Sequence, residues 1–380
     1  MTRVAIDVWD SAGQLPPENR FFASDGALAG LTDGRALLAG GSDASSKAMA
    51  TAALFRPDTV TWTATTPMSV GRRSHSLTRL PDGSVLAAGG IQGVYRFPFQ
   101  VVGTAERFDP GTEKWTPTQT SMTRARFGHS ATKLRDGRVL VAGGGTVRGR
   151  YVQAIDSVEI YDPGTDTWRI IDPMIDARID PQTALLADGR VLVSGSYLGV
   201  GDFDYTPLAF CEIFDPSTET WSATGTMAVP RAWHRLVPLP DGGALAICGT
   251  NRGSSPGPGP ITDDHSLASV ERWNPITGRW TTAARLPHGR TRHHAAALDS
   301  GAVFVFGGAD EHSINCGFIS TYRYRPDIDV WTPTAAMAAG RYDFASAVLT
   351  DGRILVAGGN YGNDGYGDGL LDTAEIFTAA

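Results

Sequence analysis

The sequence predicts an all-β fold: a seven-bladed β-propeller whose last blade is closed by the N-terminal strand. Three observations lead there. First, two apolar stretches joined by a tight Gly-containing turn recur seven times, at Asp33-Gly34, Asp82-Gly83, Asp136-Gly137, Asp188-Gly189, Asp241-Gly242, Ser300-Gly301 and Asp351-Gly352. Asp-Gly between apolar runs is a strong hairpin signal, because glycine enters the left-handed turn region without penalty. Second, Trp9, Trp62, Trp115, Trp168, Trp221, Trp280 and Trp331 follow one another at spacings of 53, 53, 53, 53, 59 and 51. A repeat of this length built from short strands favours a propeller over a sandwich. Third, the seventh repeat has a third strand, TAEIF, but no tryptophan strand after it, while an unused strand lies at the other end in VAIDVWD, Val4 to Asp10. Closure by that strand removes a sheet edge.

The best-formed repeat fixes the order of elements. RFGHSATKLRDGRVLVAGG, from Arg126 to Gly144, gives the two inner strands; VEIYDPGTDTW, from Val158 to Trp168, gives the two outer ones. The other repeats follow this order, so the chain reads as one domain, residues 1–380. The fifth repeat carries the largest insertion, NRGSSPGPGPITDDHS, whose Gly and Pro content suits a loop.

Composition narrows the partners. Net charge is -7, which disfavours a nucleic-acid partner, since a duplex-binding surface concentrates Lys and Arg. No stretch approaches the length of an apolar membrane helix, and MTRVAIDVWDSAG lacks a secretory pattern, so a cytoplasmic location is expected. Cys211, Cys248 and Cys316 form neither a disulfide framework nor a metal knuckle; the first two read as buried thiols. No phosphate-binding loop and no serine elbow occurs, and no cofactor is expected.

The series RxxHxxxxLxDGRVLVAGG, VExYDPxTxxW and PMxxxR resembles the kelch repeat over essentially the whole chain. Arg72, Arg126, Arg178, Arg231, Arg290 and Arg341 each stand ten residues before their turn, with Ala23 in the first repeat. The resemblance implies a kelch β-propeller without fixing an activity, because such propellers serve as enzymes, ligand binders and docking platforms. His75, His129, His234 and His293 stand three residues after the arginine. Equivalent residues stand around a ring rather than converging, so a structural contact is expected over a metal site. The tryptophans are expected to be core at the blade junctions.

Function is sought where the repeat is broken. Two residues after the arginine stand Asp25, Ser74, Gly128, Asp180, Trp233, Arg292 and Asp343. In ligand-binding kelch domains, the resemblance implies, this position looks into the channel mouth. The loops between second and third strands add Arg148, Tyr151, Tyr197, Asn251, Arg252, His312 and Tyr361, a rim that would suit a lid over a small molecule or a protein-binding surface.

Some kelch propellers are sugar-acid epimerases and other seven-bladed propellers are lyases. The expectation is therefore a small-molecule enzyme doing non-redox acid–base chemistry, of isomerase, epimerase, cyclase or lyase type, on an anionic metabolite. Asp180 and Asp343 would transfer protons, Arg292 would clamp the anion, and Tyr197 or Tyr361 would serve as alternative acids. Asp25, Ser74, Trp233, Arg148, Tyr151, Asn251, Arg252 and His312 would bind the ligand. A kelch protein-interaction module and a non-catalytic ligand binder stay open beside it. A metal is not expected: neither Asp310, Glu311 and His312 nor Asp263, Asp264 and His265 closes a ligand set. The tyrosine, histidine and cysteine pattern of the kelch-like copper radical oxidases has no match here.

Overall fold

Seven four-stranded antiparallel sheets are arranged as the blades of a propeller in a computed structural model that describes residues 6–17, 28–43, 45–94, 99–149, 151–200, 204–251, 266–310, 317–363 and 367–380. The third blade shows the pattern: Ser130–Lys133 lies innermost, followed outward by Val139–Ala142, Val158–Asp162 and Thr167–Ile171. Every second strand is buried along its length, as in ALLA, VLVA and VFVF, because both of its faces meet neighbouring blades. The apolar clusters follow suit: one joins Leu86, Ala88 and Ala105 of the second blade to Val139, Val141 and Tyr161 of the third.

The seventh blade is closed from the other chain end, by a strand that shares Val8 to Asp10 with VAIDVWD and continues beyond it. It runs Val8–Gln14 and pairs with Thr373–Thr378, with Trp9 opposite Phe377. That pairing sets the register, since an aromatic side chain faces tryptophan at the same rung in every blade, from Phe55 and Trp62 to Tyr324 and Trp331. Ring centroids in these pairs lie 5.2 Å and 4.8 Å apart, within the range of favourable aromatic contact.

The tryptophans depart from the expected core role. Trp168 is buried, but Trp9, Trp62, Trp115, Trp221, Trp280 and Trp331 are half-buried. They sit on the outermost strands, where blades fan apart and one ring edge stays near solvent. Several tie blades together through the indole: Trp62 Nε1 donates to Ala12 O at 2.8 Å and Trp9 Nε1 to Thr321 Oγ1 at 3.0 Å.

The repeated arginine is wholly buried in all six blades that have one. In five it meets a glutamate on the third strand: Arg72–Glu106, Arg126–Glu159, Arg178–Glu212, Arg231–Glu271 and Arg341–Glu375, at 2.7–2.9 Å. Each glutamate also accepts backbone N–H groups from the PMxxxR turn, as Glu159 does from Thr123 and Arg124 at 2.7 and 3.0 Å. These bonds offset the desolvation that makes a buried pair costly. The sixth blade has Tyr322 in place of glutamate, and Arg290 lies over the rings of Phe318 and Tyr322 at 5.0 and 5.3 Å. The first blade has Ala53 there and Ala23 in place of the arginine, so both partners are lost together.

The repeated histidines are internal. A Cβ on Gly40, Gly89 or Gly195, the glycines that end second strands, would lie 2.5–2.7 Å from the Cε1 of His75, His129 or His234 in the next blade. Phe344 fills the same place against Gly307. Burial, reinforced by neighbouring arginines, drops the His75 and His129 imidazoles to about 3 and holds His234 and His293 well below their usual value. Cys248 replaces the glycine in the fifth blade, at φ 56°; burial pushes its thiol up to about 11 and that of Cys211 to about 12. Cys316 lies outside the described residues.

Candidate functional site at the channel mouth

The position two residues after the arginine is the one place where the repeat keeps its backbone and abandons its chemistry. Ser74, Gly128, Asp180, Trp233, Arg292 and Asp343 all adopt left-handed backbone, with φ between 49° and 54°. Glycine takes this conformation freely, whereas a side chain costs on the order of 1 kcal/mol or more. The residue before each of them is held by a bridge to the third residue after the second strand: Arg73 to Ile91, Phe127 to Gly145, Ile179 to Tyr197, Ala232 to Thr250, Thr291 to Ala309 and Tyr342 to Asn360. The innermost strand begins two residues after each of them. The turn between them is forced left-handed, and its side chain is left at the mouth, partly exposed.

Neighbouring turns join one another. Gly128 N donates to Ser74 O at 3.0 Å, Asp180 N to Gly128 O at 2.7 Å, and Asp343 N to Arg292 O at 3.3 Å. The side chains form a ladder across blades four to seven. The Tyr197 and Trp233 rings meet edge to face at 5.7 Å, the Arg292 guanidinium lies 5.0 Å from the Trp233 ring centre, and Arg292 Nη1 contacts Asp343 Oδ2 at 2.6 Å. On the other side, the Asp180 carboxylate leans over Gly128, where an added Cβ would lie 2.5 Å from its Oδ1. Ladders of this kind hold arginine by stacking and charge together.

The long rims between second and third strands are not all open loops. Ile91–Gln92 with Gln100–Val101, Gly145–Arg148 with Tyr151–Ala154, Tyr197–Val200 with Asp204–Pro207, and Asn360–Asn363 with Gly367–Leu370 are two-stranded ribbons. Those of blades two to four stand on an apolar cluster of Ile91, Phe99, Phe127, Ala154 and Ile179, packed by Val147, Val152 and Tyr197. They make a wall on one side of the mouth. In blades six and seven the same layer mixes buried Thr291 and Asn360 with Ala309 and Tyr342.

The expected site residues divide accordingly. Tyr197, Trp233, Arg292 and Asp343 touch in sequence, with Asp180 and Ser74 further round the same ring. Arg148 and Tyr151 face each other across the tip of the third-blade ribbon, both exposed. Below them a polar hollow of about 560 Å³ is lined by Arg124, Thr146, Arg148, Gln153 and Asp156 among others. Tyr361 is exposed on the seventh-blade ribbon, and Asn251 is exposed beyond Thr250. Asp25, Arg252 and His312 lie outside the described residues, as do Glu311, Asp263, Asp264 and His265. Among the described residues no three His, Cys, Asp or Glu side chains gather as a metal ion would need. No helix among them is long and apolar enough to cross a membrane.

Two features here escape the reading of sequence. The pairing of Arg292 with Asp343, fifty-one residues apart, is set by adjacency of blades six and seven. The left-handed backbone had one signal, the glycine at position 128.

These blades, with their buried arginine–glutamate pairs and glycine-ended second strands, define a kelch-type β-propeller. The Kelch motif matches residues 134–175, and the chain belongs to the kelch-repeat family. Its relatives include Kelch-like protein 36 of Bos taurus, 25% identical over 272 residues, which cover 71% of this chain and 41% of that protein. Kelch-like protein 34 of Homo sapiens is 30% identical over 202 residues, 53% of this chain and 29% of the relative. The chain thus spans less than half the length of these curated relatives. Among solved structures, a fungal alcohol oxidase of the AA5 family in complex with copper superimposes with a TM-score of 0.71 at 16% identity, covering 99% of this chain and 77% of the oxidase. The protein YjhT superimposes with a TM-score of 0.58 at 18% identity, covering 80% of this chain and 94% of its own. At these identities the likeness speaks for the fold alone.

Proposed function

We propose that the chain is a binding module whose mouth face and ribbon wall engage a partner protein. The observation that carries this reading is the ladder of Tyr197, Trp233, Arg292 and Asp343. It couples the residue types most often dominant in protein interfaces to a rigid ring, with Trp233, Arg292 and Asp343 at left-handed positions that cost the fold stability. Exposed Arg148, Tyr151 and Tyr361 extend the same chemistry along the ribbons. Rings and guanidinium are already stacked, so little side-chain entropy is left to lose on docking.

The acid–base reading is second, and one observation favours it: Asp180 follows Ile179, whose backbone N–H donates to Tyr197 O at 2.8 Å, so the two residues are neighbours in the chain path at the mouth. Asp180 with Tyr197 would be the proton-transfer pair on a small anionic metabolite. Asp343 is less suited to the role because Arg292 is its ion-pair partner, which also leaves Arg292 less able to clamp an anion.

The test uses the full chain as bait beside two variants, Trp233→Ala and the double variant Tyr151→Ala/Tyr361→Ala, with bound proteins identified by mass spectrometry and affinities measured on the purified partner. A partner whose affinity falls at least tenfold in both variants supports docking. A metabolite that raises the melting temperature and is turned over by wild type but not by Asp180→Asn sinks it in favour of the enzyme.

A further inference from the structure

The channel has a second end, framed by the seven hairpin turns, and its chemistry is opposite in sign to the chain as a whole. The innermost strands run from the mouth to these turns, so the residues at their turn-side ends, five positions beyond the mouth residues, form a ring up to about 16 Å below the mouth at roughly 3.3 Å per residue. Each such residue lies opposite the first residue of the second strand, as Arg79 does with Val85 and Lys133 with Val139. The other blades place Gly30, Leu185, Pro238, Ala297 and Val348 in this ring. Two cations therefore stand in adjacent blades of an otherwise uncharged ring, although the chain carries a net charge of -7.

The carboxylates closest in sequence are committed elsewhere. The turn aspartates bind arginines of their own or neighbouring outer strands: Asp33 with Arg35, Asp82 with Arg107, Asp136 with Arg138, and Asp188 with Arg190. No Asp or Glu occurs on any innermost strand. Among the described residues no carboxylate forms an ion pair with Arg79 or Lys133; Arg79 Nη1 reaches only the Gly30 carbonyl, at 3.4 Å. Both side chains are half-buried. Burial, and then the Arg79 charge, holds the Lys133 amine below its usual value, so the two cations feel each other through the protein.

We infer that Arg79 and Lys133 form an anion seat at the turn-side end of the channel, taking a small oxyanion of the phosphate or carboxylate class. A planar guanidinium offers paired donors and an ammonium a point charge, a combination suited to one oxyanion held between them. The two cations cost stability while the seat is empty, and an anion would relieve their repulsion. The site is separate from the mouth and does not depend on what the mouth binds.

The chain has three lysines, Lys47, Lys114 and Lys133, which makes the test internally controlled. Inorganic phosphate and acetate are titrated separately into the full chain by calorimetry at low ionic strength, alongside Arg79→Gln, Lys133→Gln and Arg292→Gln. Saturable binding of either anion is expected, weakened at least tenfold by the first two changes and kept by the third. In parallel, amine acetylation of the unaltered protein is followed residue by residue. The anion that binds should slow modification of Lys133 while leaving Lys47 and Lys114 unchanged. This second readout decides the matter even if a variant fails to fold. No saturable binding, equal binding by the Arg79 and Lys133 variants, or equal protection of all three lysines would overturn the inference.

Discussion

Trp9 stands opposite Phe377 with ring centroids 5.0 Å apart, and this pair joins the two ends of the chain into one blade. Trp9 also donates its indole N–H to Thr321 of the sixth blade, so one side chain fixes both the closing register and a blade junction. Trp9→Ala is expected to destabilise by about 2–4 kcal/mol, somewhat less than for a fully buried ring. Removing residues 1–14 should expose the edge of Thr373–Thr378 and cause aggregation or a broad, uncooperative transition. Denaturant unfolding and light scattering check both; a truncated protein that unfolds as sharply as the whole chain would refute closure.

The buried histidines make the fold acid-sensitive. Their folded values lie below the unfolded 6.5, so the unfolded chain takes up protons that the folded chain refuses. Stability is therefore lost as pH falls below about 6.5, and for His75 and His129 the loss continues towards about 3. Each such histidine contributes about 1 kcal/mol per pH unit in that window. His75→Phe, copying Phe344 of the seventh blade, should flatten the dependence by one proton between pH 6.5 and 5, above the range where most carboxylates titrate. Urea midpoints at pH 7 and pH 5 would show it.

Restoring the consensus in the sixth blade should harm the protein. Tyr322→Glu would supply Arg290 with the carboxylate its counterparts have. Yet the shortest backbone N–H bond to that glutamate comes from the position of Ser69, Thr123, Ile175, Ala228 and Ala338, and the sixth blade has Pro287 there, which has no N–H. The change also removes one of two rings over Arg290. A loss of about 1–3 kcal/mol is expected, recovered at least in part by Pro287→Ser in the same chain. A stabilising single change would show that charge outweighs the missing donor.

At the mouth, stability and binding should move in opposite directions. Ser74→Gly relieves a left-handed serine and should leave the melting temperature unchanged or raised, while Ser74→Val should cost about 1–2 kcal/mol. Gly128→Ala should displace the Asp180 carboxylate, since the new Cβ would lie 2.5 Å from its Oδ1. Thermal melts of the three variants suffice, and a Ser74→Val protein as stable as wild type would remove the strain argument.

The sequence by itself determined the blade count, the strand order and the circular closure, because each rests on a local signal repeated in step: a glycine turn, a strand of alternating pattern, a tryptophan. It also marked the ring of divergent residues as the place to look for function. What it could not contain was any contact between blades. Arg292 reaches Asp343, Trp233 receives Arg292, and Arg79 neighbours Lys133 only because the propeller brings residues about fifty positions apart to adjacent points on a circle. The side chains that alternate there carry no periodic signal of their own. The long rims read as open loops because their ribbons are short and lack a repeated pattern, and in blades two to four they pack on Phe99, Phe127 and Ile179. The tryptophans read as core because they are large and repeated; only the widening of the wedge between blades decides that most of them stop at the surface.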